Sequence, residues 1–350
     1  MNSRKILVTG GCGFIGSQFV KIMLEDDESI EIVNLDLLTY AGDPSNVGSW
    51  ADSPRYEFVQ GDIRDPELVD RLVPEVDWVV NFAAESHVDR STGTRAGEFV
   101  ETNVLGTFVL LDAVKRLNPH ARFLQIGTDE VYGDVEAPEF PHEGSRLEPS
   151  SPYSASKAGA DQLALAFAIT HGMDVRVSRC TNNYGAFQHP EKLIPLFITN
   201  ALDGLPLPLY DGGTQIRDWL RVSDHCRALQ TIMEKGTAGE IYNVGANQDP
   251  ERTNREITRM ILEATGAPES LVEDRHGLRP GHDQRYAVAT DKLRELGWSP
   301  ELDIEQGIAE TVQWYADHRP WWEARKDESY QAYYADHYGR SDPPESSPDQ

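Results

Sequence analysis

The stretch VTGGCGFIGS, residues 8–17, decides the fold. It ends an apolar run, KILV at 5–8, and leads into an amphipathic segment, so Gly10, Gly13 and Gly16 stand between a strand and a helix. That place asks for a tight turn, a close backbone approach to a pyrophosphate and helix-to-strand contact, with the helix N-terminus lending partial positive charge. Glycine triplets alone are common. Asp36, twenty residues beyond Gly16 at the end of the next apolar run, completes a dinucleotide fingerprint. Its carboxylate is suited to accept from adenosine ribose hydroxyls. A 2′-phosphate would meet that charge, and no Arg or Lys follows in DLLTYAGD (36–43), so NAD is favoured over NADP.

Outward from the loop, short apolar or β-branched runs recur: KILVTG (5–10), EIVNLD (31–36), YEFVQGD (56–62), WVVNFAA (78–84), RFLQIGT (122–128) and DVRVSR (174–179). Helical patterns over 14–25, 66–73, 95–117 and 153–171 separate them. This alternation predicts an α/β chain with a doubly wound, Rossmann-type parallel sheet and ligands at the carboxyl ends of its strands. Asp62 and Ile63, ending the third strand, are placed to meet the adenine. After about residue 185 the texture changes to Pro-containing loops and shorter elements. Residues 1–184 therefore read as the NAD-binding domain, 185–338 as mainly a smaller C-terminal substrate-binding lobe, and EIYNVG (240–245) as a strand returning to the main sheet. The tail from 339 to 350 has the composition of a disordered end.

The chain of 350 residues carries 58 Asp and Glu against 32 Lys and Arg, a net charge of −26. Such a surface repels nucleic acid and anionic membrane, which argues against both as partners. Arginine outnumbers lysine about three to one, and acids crowd segments such as EDDESIE (25–31). This pattern suggests adaptation to high salt, where counterions screen self-repulsion; an ordinary acidic cytosolic enzyme is the plainer reading. No run of about 18 apolar residues occurs, and Asn2-Ser3-Arg4-Lys5 leads straight into a strand without a signal-peptide core. A soluble, cytoplasmic protein is expected. Cys12, Cys180 and Cys226 are widely spaced, offering neither a disulfide framework nor a metal knuckle.

Two further features bear chemistry. Tyr153 and Lys157, in SSPYSASKAGADQLALAF (150–167), are four apart and share a face if helical. A lysine ammonium beside a phenol stabilises the phenolate and makes tyrosine a usable base near neutral pH. Taken singly such a pair is usually a surface pair; downstream of the glycine loop, with Thr128 at a strand end, it reads as hydride-transfer apparatus. The other feature is QIGTDEVYGD (125–134), which sets Asp129 and Glu130 side by side just past an apolar strand. Close like charges push two titrations apart, leaving one carboxyl an acid and its neighbour a base, as an elimination requires. Which of the two holds the proton is open at this point.

The chain is similar to the extended short-chain dehydrogenase/reductases, and within them closely resembles the dTDP-glucose 4,6-dehydratase family from residue 5 to about 338. The resemblance rests on TGGCGFIGS, DLLTYAGD, AAESHVDRS, TNVLGT, TDEVYGD, YSASKAGAD, NNYGAFQHPEKLIP, LPLYDGGTQIRDWLRVSDH, YNVG and RPGHDQRYA. It implies an NAD-dependent lyase that oxidises carbon 4 of a nucleotide-bound glucose, removes water across carbons 5 and 6, and returns the hydride to carbon 6. Tyr153 would deprotonate the carbon 4 hydroxyl with Thr128 bonded to that oxygen, Glu130 would take the carbon 5 proton, and Asp129 would protonate the departing hydroxyl. Phe14, Ile15, Leu37, Leu38, Thr39, Phe82, Ala83, Ala84, Glu85, Ser86, Thr102 and Asn183 would join the glycines, Asp36, Asp62, Ile63, Tyr153 and Lys157 around NAD. Ser86, Thr128, Asn182, Lys192, Leu193, Pro208, Tyr210, Arg217, Asn247, Arg279, His282 and Asp283 would contact dTDP-glucose. A homodimer through helices 95–117 and 153–171 is implied, and no metal. Cys12, Gly127, Ala186-Phe187 and His189 depart from the family pattern; Gly127 stands where it has Ser. A UDP-glucose dehydratase or 4-epimerase and a non-catalytic NAD and nucleotide-sugar binder are the alternatives.

Overall fold

Six runs near the expected positions form β1 (Arg4–Thr9), β2 (Ile30–Asp36), β3 (Tyr56–Gln60), β4 (Trp78–Asn81), β5 (Arg122–Thr128) and β6 (Val175–Cys180). This is a computed structural model, and it describes residues 4–87, 91, 95–276 and 283–338. With the strand Ile241–Val244 they build a seven-stranded parallel sheet in the order Ile241–Val244, β6, β5, β4, β1, β2, β3. Ile6 of β1 lies opposite Ile32 on one side and Trp78 on the other. Because side chains alternate along a strand, the sheet buries two faces. Ile6, Val8, Ile32 and Val80 pack with Phe19 and Leu229, whereas Leu7, Val33, Val79 and Phe123 pack with Leu110, Ala164 and Phe167. The strand order reverses at β1 and β4, the place where such sheets open for a ligand.

The 95–117 segment differs from the single regular helix predicted for it. It is α-helical over Ala96–Phe99, widens to a π-helix over Val100–Gly106, and resumes as α-helix over Thr107–Leu117. Gly106 sits where a Cβ would lie 2.4 Å from Ile63 Cδ1, and the Thr107 hydroxyl donates to the Asn103 carbonyl at 2.7 Å. Widened turns of this kind recur at functional sites. Helix Pro152–His171 starts at a reciprocal Ser151 and Ser154 capping box and stops at Gly172 in the left-handed region.

Two compact units result. One comprises the chain to Asn183, Asp218–Asn247 and Arg285–Glu301; the other comprises Tyr184–Arg217, Gln248–Gln284 and the chain from Leu302. The second unit carries helices Leu193–Asp203, Asn254–Thr265 and Ile304–Asp317, and its strand Leu207–Tyr210 pairs in parallel with Val272–Arg275. Its core includes Trp322 and Tyr315, both fully buried. Among the described residues no helix is long and apolar enough to cross a membrane, and no cluster of metal-ligating side chains forms. All three cysteines are buried thiols.

Candidate active site

The glycine loop is closed to side chains at Gly10 and Gly16. Gly10 has φ +71°, and a Cβ there would lie 2.7 Å from the Ala83 amide nitrogen; one on Gly16 would lie 2.3 Å from the Gly10 carbonyl oxygen. Helix Phe14–Asp26 begins at Gly13 with no side chain capping its first turn, so that end offers N–H groups and positive potential. At the tip of β2, Asp36 accepts the Cys12 N–H at 2.9 Å and the Leu38 N–H at 2.8 Å, one on each carboxylate oxygen. Burial raises the pKa of Asp36 and these two bonds oppose the rise. Burial, with Asp36 adding, pushes the Cys12 thiol up to about 12, so it stays protonated as a small packing group. A floor where Gly10 and Gly16 admit no Cβ, an uncapped helix start and a strand-end carboxylate together fit NAD. Leu37 and Thr39 are exposed beyond Asp36, and Leu38 turns at φ +60°. Asp62 is gripped by the Arg64 guanidinium, Nη2 to Oδ2 2.7 Å, and Ile63 is buried against the π-helix.

Thr128, Asp129 and Glu130 leave the end of β5 as expected. Thr128 caps a short 3-10 turn, Asp129–Tyr132, its hydroxyl taking the Glu130 N–H at 3.3 Å. Asp129 is buried and Glu130 half-buried. Tyr153, in the first turn of helix Pro152–His171, faces this turn. Burial raises its phenol pKa well above the ordinary value, with Glu130 next in effect, while a hydrogen bond with Thr128 works the other way. Lys157 is buried and its Nζ donates to the Ile126 carbonyl at 2.6 Å. Burial lowers the Lys157 pKa and the Asp161 carboxylate opposes it. The structure thus gathers Thr128, Asp129, Glu130 and Tyr153 at the end of β5, with Lys157 one helical turn beyond Tyr153 and bonded to the strand two residues before Thr128.

A buried polar chain behind them was not foreseen. Thr9 donates to Asn81 Oδ1 at 2.6 Å, and Asn81 Nδ2 donates to Gln125 Oε1 at 2.9 Å and to the Thr107 hydroxyl at 3.0 Å. From the π-helix, Asn103 Nδ2 reaches the Glu85 carbonyl and Ser156 Oγ, at 3.0 and 2.9 Å, and Ser156 donates to the Tyr153 carbonyl at 2.7 Å. The chain ties the Phe82–Ser86 segment and the Tyr153 backbone to one scaffold. Thr102, the neighbour named from sequence, is half-buried, while Asn103 makes these bonds. The TNVLGT motif was the signal for it. Asn183 is held in place by the Thr181 carbonyl and by His225 Nδ1, each at 2.9 Å.

The expected nucleotide-sugar residues fall in several places. Asn182 and Asn247 lie in the first unit, where Asn247 Nδ2 donates to the Val288 carbonyl at 2.8 Å and its Oδ1 accepts from Thr290. Lys192, Leu193, Pro208, Tyr210, Arg217 and Asp283 lie in the second. Arg217 is buried, and its guanidinium donates to the carbonyls of Ile216 at 2.7 Å and Asp283 at 2.8 Å. Arg279 and His282 lie outside the described residues. Gly127 looks toward protein: a Cβ there would lie 2.6 Å from the Ser178 carbonyl oxygen and 2.9 Å from Asp161 Oδ1.

Comparison with known proteins adds to this geometry. The family model described as GDP-mannose 4,6 dehydratase matches residues 7–311. A dTDP-glucose 4,6-dehydratase of Streptomyces niveus is 50% identical over 92% of this chain and 96% of its own. A low-salt glycan biosynthesis protein, Agl12, of Haloferax volcanii is 49% identical over 89% of this chain and 98% of its own. Among solved structures, the dTDP-glucose 4,6-dehydratase DesIV of Streptomyces venezuelae, crystallised with NAD, superposes with a TM-score of 0.88 at 48% identity, covering 92% of this chain and 100% of that one.

Proposed function

The chain belongs to the GDP-mannose 4,6 dehydratase family, and from that membership we propose that it is an NAD-dependent dTDP-glucose 4,6-dehydratase, a hydro-lyase yielding dTDP-4-keto-6-deoxyglucose and water. Relatives of that name at about half identity over nearly the whole chain support the substrate. The observation that carries the reaction is the Asp129 and Glu130 pair at the end of β5, against the Tyr153 phenol.

The chain's own groups divide the proton work. Tyr153, as phenolate beside the Lys157 ammonium, takes the proton of the carbon 4 hydroxyl, and Thr128 bonds the same oxygen. NAD, when bound, would supply the hydride acceptor for carbon 4 and the hydride donor for carbon 6. A ketone at carbon 4 acidifies the carbon 5 hydrogen, which Glu130 removes. The electron pair left behind expels the carbon 6 hydroxyl, and Asp129 donates the proton that makes it water. Glu130 then returns a proton to carbon 5, and because the hydride lost from carbon 4 is restored at carbon 6 the reaction is redox-neutral. Gly10, Gly13, Gly16 and Asp36 hold the cofactor, and Lys192 and Arg217 of the second unit supply the cations suited to a diphosphate. The second unit is on this reading the substrate lobe.

Val100, Leu105, Phe108 and Ile169 stand exposed on the 96–117 segment and helix Pro152–His171, which supports a homodimer through them. The net charge of −26, with counterions screening its self-repulsion, supports a protein that works in concentrated salt. Light scattering at working salt and thermal unfolding across a salt series test these two; a monomer, or no gain in stability with molar salt, removes the respective reading. The reaction is tested by incubating the protein separately with dTDP-glucose and UDP-glucose and following the sugar by NMR. The 4-keto-6-deoxy product from dTDP-glucose is expected. Its appearance from UDP-glucose alone, an inverted carbon 4 hydroxyl, or unchanged sugar would each overturn the proposal.

A further inference from the structure

Behind Lys157 lies a set of buried charges to which the reaction assigns no task. Helix Pro152–His171 places Asp161 four residues beyond Lys157, on the same face. Asp161 is fully buried and pairs with the equally buried Arg179 of β6, Oδ2 to Nε 2.9 Å. Arg179 Nη1 donates to the Tyr132 hydroxyl at 2.9 Å, with the guanidinium 5.1 Å from that ring centre, and Tyr132 donates to Asn243 Oδ1 at 2.9 Å. Cys180 of β6 faces Lys157 and also Asp129, and Glu143 faces Tyr132. The hydrogen bond that Lys157 makes to the Ile126 carbonyl brings no negative charge.

A buried ammonium is costly without an anion, and a guanidinium does not give up its proton. Without Asp161, two cations would share this interior and Lys157 would be the one to discharge. We propose, building on the dehydratase reading above, that Asp161 is a positioning residue which, kept ionised by Arg179, holds Lys157 protonated for the Tyr153 phenolate. The signs run plus, minus, plus from Arg179 to Lys157, so loss of the Tyr153 proton brings the set to neutrality. Burial drives the Lys157 pKa down and Asp161 opposes it; burial drives Asp161 up, and Arg179 and then Lys157 oppose that. Gly127 makes room, since a Cβ would lie within 3.0 Å of both Asp161 carboxylate oxygens.

The test is single-turnover NADH formation from dTDP-glucose by the NAD-loaded protein across roughly pH 6 to 10, a range spanning a lowered lysine pKa. In Asp161→Asn the basic limb should move down by about one pH unit or more, making turnover about tenfold slower on that limb, with KM little changed. Asp161→Glu keeps the charge and should keep the limb. Adding Arg179→Met to Asp161→Asn removes the uncompensated cation and should move the basic limb part of the way back up along with the rate, whereas a merely structural pair would recover stability without moving the limb. An unmoved limb in Asp161→Asn, or a double variant slower than that single one, overturns the proposal. If Asp161→Asn does not fold, Asp161→Glu decides, and a limb displaced by a unit is fatal. Native protein that forms no NADH from dTDP-glucose would instead sink the dehydratase reading.

Discussion

Replacing Asp36 by Asn removes one charge and almost no volume. In the native chain each carboxylate oxygen takes one backbone N–H, from Cys12 at 2.9 Å and from Leu38 at 2.8 Å. Asparagine has one oxygen to offer, so its amide group turns toward the second donor and leaves an N–H unpaired in a buried place, a cost of about 1–3 kcal/mol. Bound NAD would lose charge-assisted hydrogen bonds from its ribose, worth about 1.5–3 kcal/mol. The first effect weakens the free and the loaded protein alike; only the second enters the affinity. The Kd for NAD should therefore rise about 10- to 100-fold, while the unfolding free energy of the NAD-free protein falls by about 1–3 kcal/mol. Titration calorimetry of NAD into stripped protein reads the first quantity and denaturant unfolding the second. An affinity within about threefold of native, less than 1 kcal/mol, would mean that Asp36 does not meet the ribose. Unchanged unfolding would mean that the loop does not lean on those two bonds.

Glu130→Gln should lower ketosugar formation by about 10²- to 10⁴-fold, the usual worth of a positioned base, yet leave the first hydride transfer, seen as accumulating NADH absorbance; near-native product formation would remove Glu130 from its role. Tyr153→Phe should block that NADH signal as well, and its undiminished appearance would contradict the phenolate. Gly16→Ala sets a methyl 2.3 Å from the Gly10 carbonyl oxygen, so NAD binding by fluorescence titration should be lost, and native affinity would refute the close packing of the loop. Burial pushes the His225 pKa down to about 3. The unfolded chain takes up that proton near pH 6.5 and the folded chain does not until about pH 3, so the stability contribution is full above about 6.5 and is lost as pH falls toward 3, by up to about 1.4 kcal/mol per unit. In His225→Gln the acid side of the urea-unfolding profile should flatten, and an equally steep fall would count against it.

What the sequence made legible is what neighbours in sequence carry. The glycine loop and Asp36 lie within one strand–helix–strand unit, the two carboxyls are adjacent, and Tyr153 with Lys157 needs only the helical period. The strand Ile241–Val244 announced itself by its apolar run despite lying far from its partner β6. The rest depends on side chains that meet across elements. Asp161 reads as an ordinary polar helix position until the sheet brings up Arg179, 18 residues later and on another element. His225 lies 42 positions from Asn183. Asn103 turns inward because the helix widens there, which the regular period hides. Residues 285–301 join the first unit through bonds without periodicity, such as the Arg285 N–H to Asp134 Oδ1 at 2.9 Å and the Ala289 N–H to the Pro141 carbonyl at 2.9 Å.

The return of Ile241–Val244 to β6 constrains how the chain is born. While the ribosome has released β1 to β6 and little more, the flank of β6 stands bare, with a row of backbone donors and acceptors open to any extended segment nearby. That flank closes only after Tyr184–Arg217 has been synthesised and set aside, a long loop whose closure entropy must be met before the sheet is whole. A fragment cut at residue 184 would inherit the same raw margin, and self-association through it is the fate to expect.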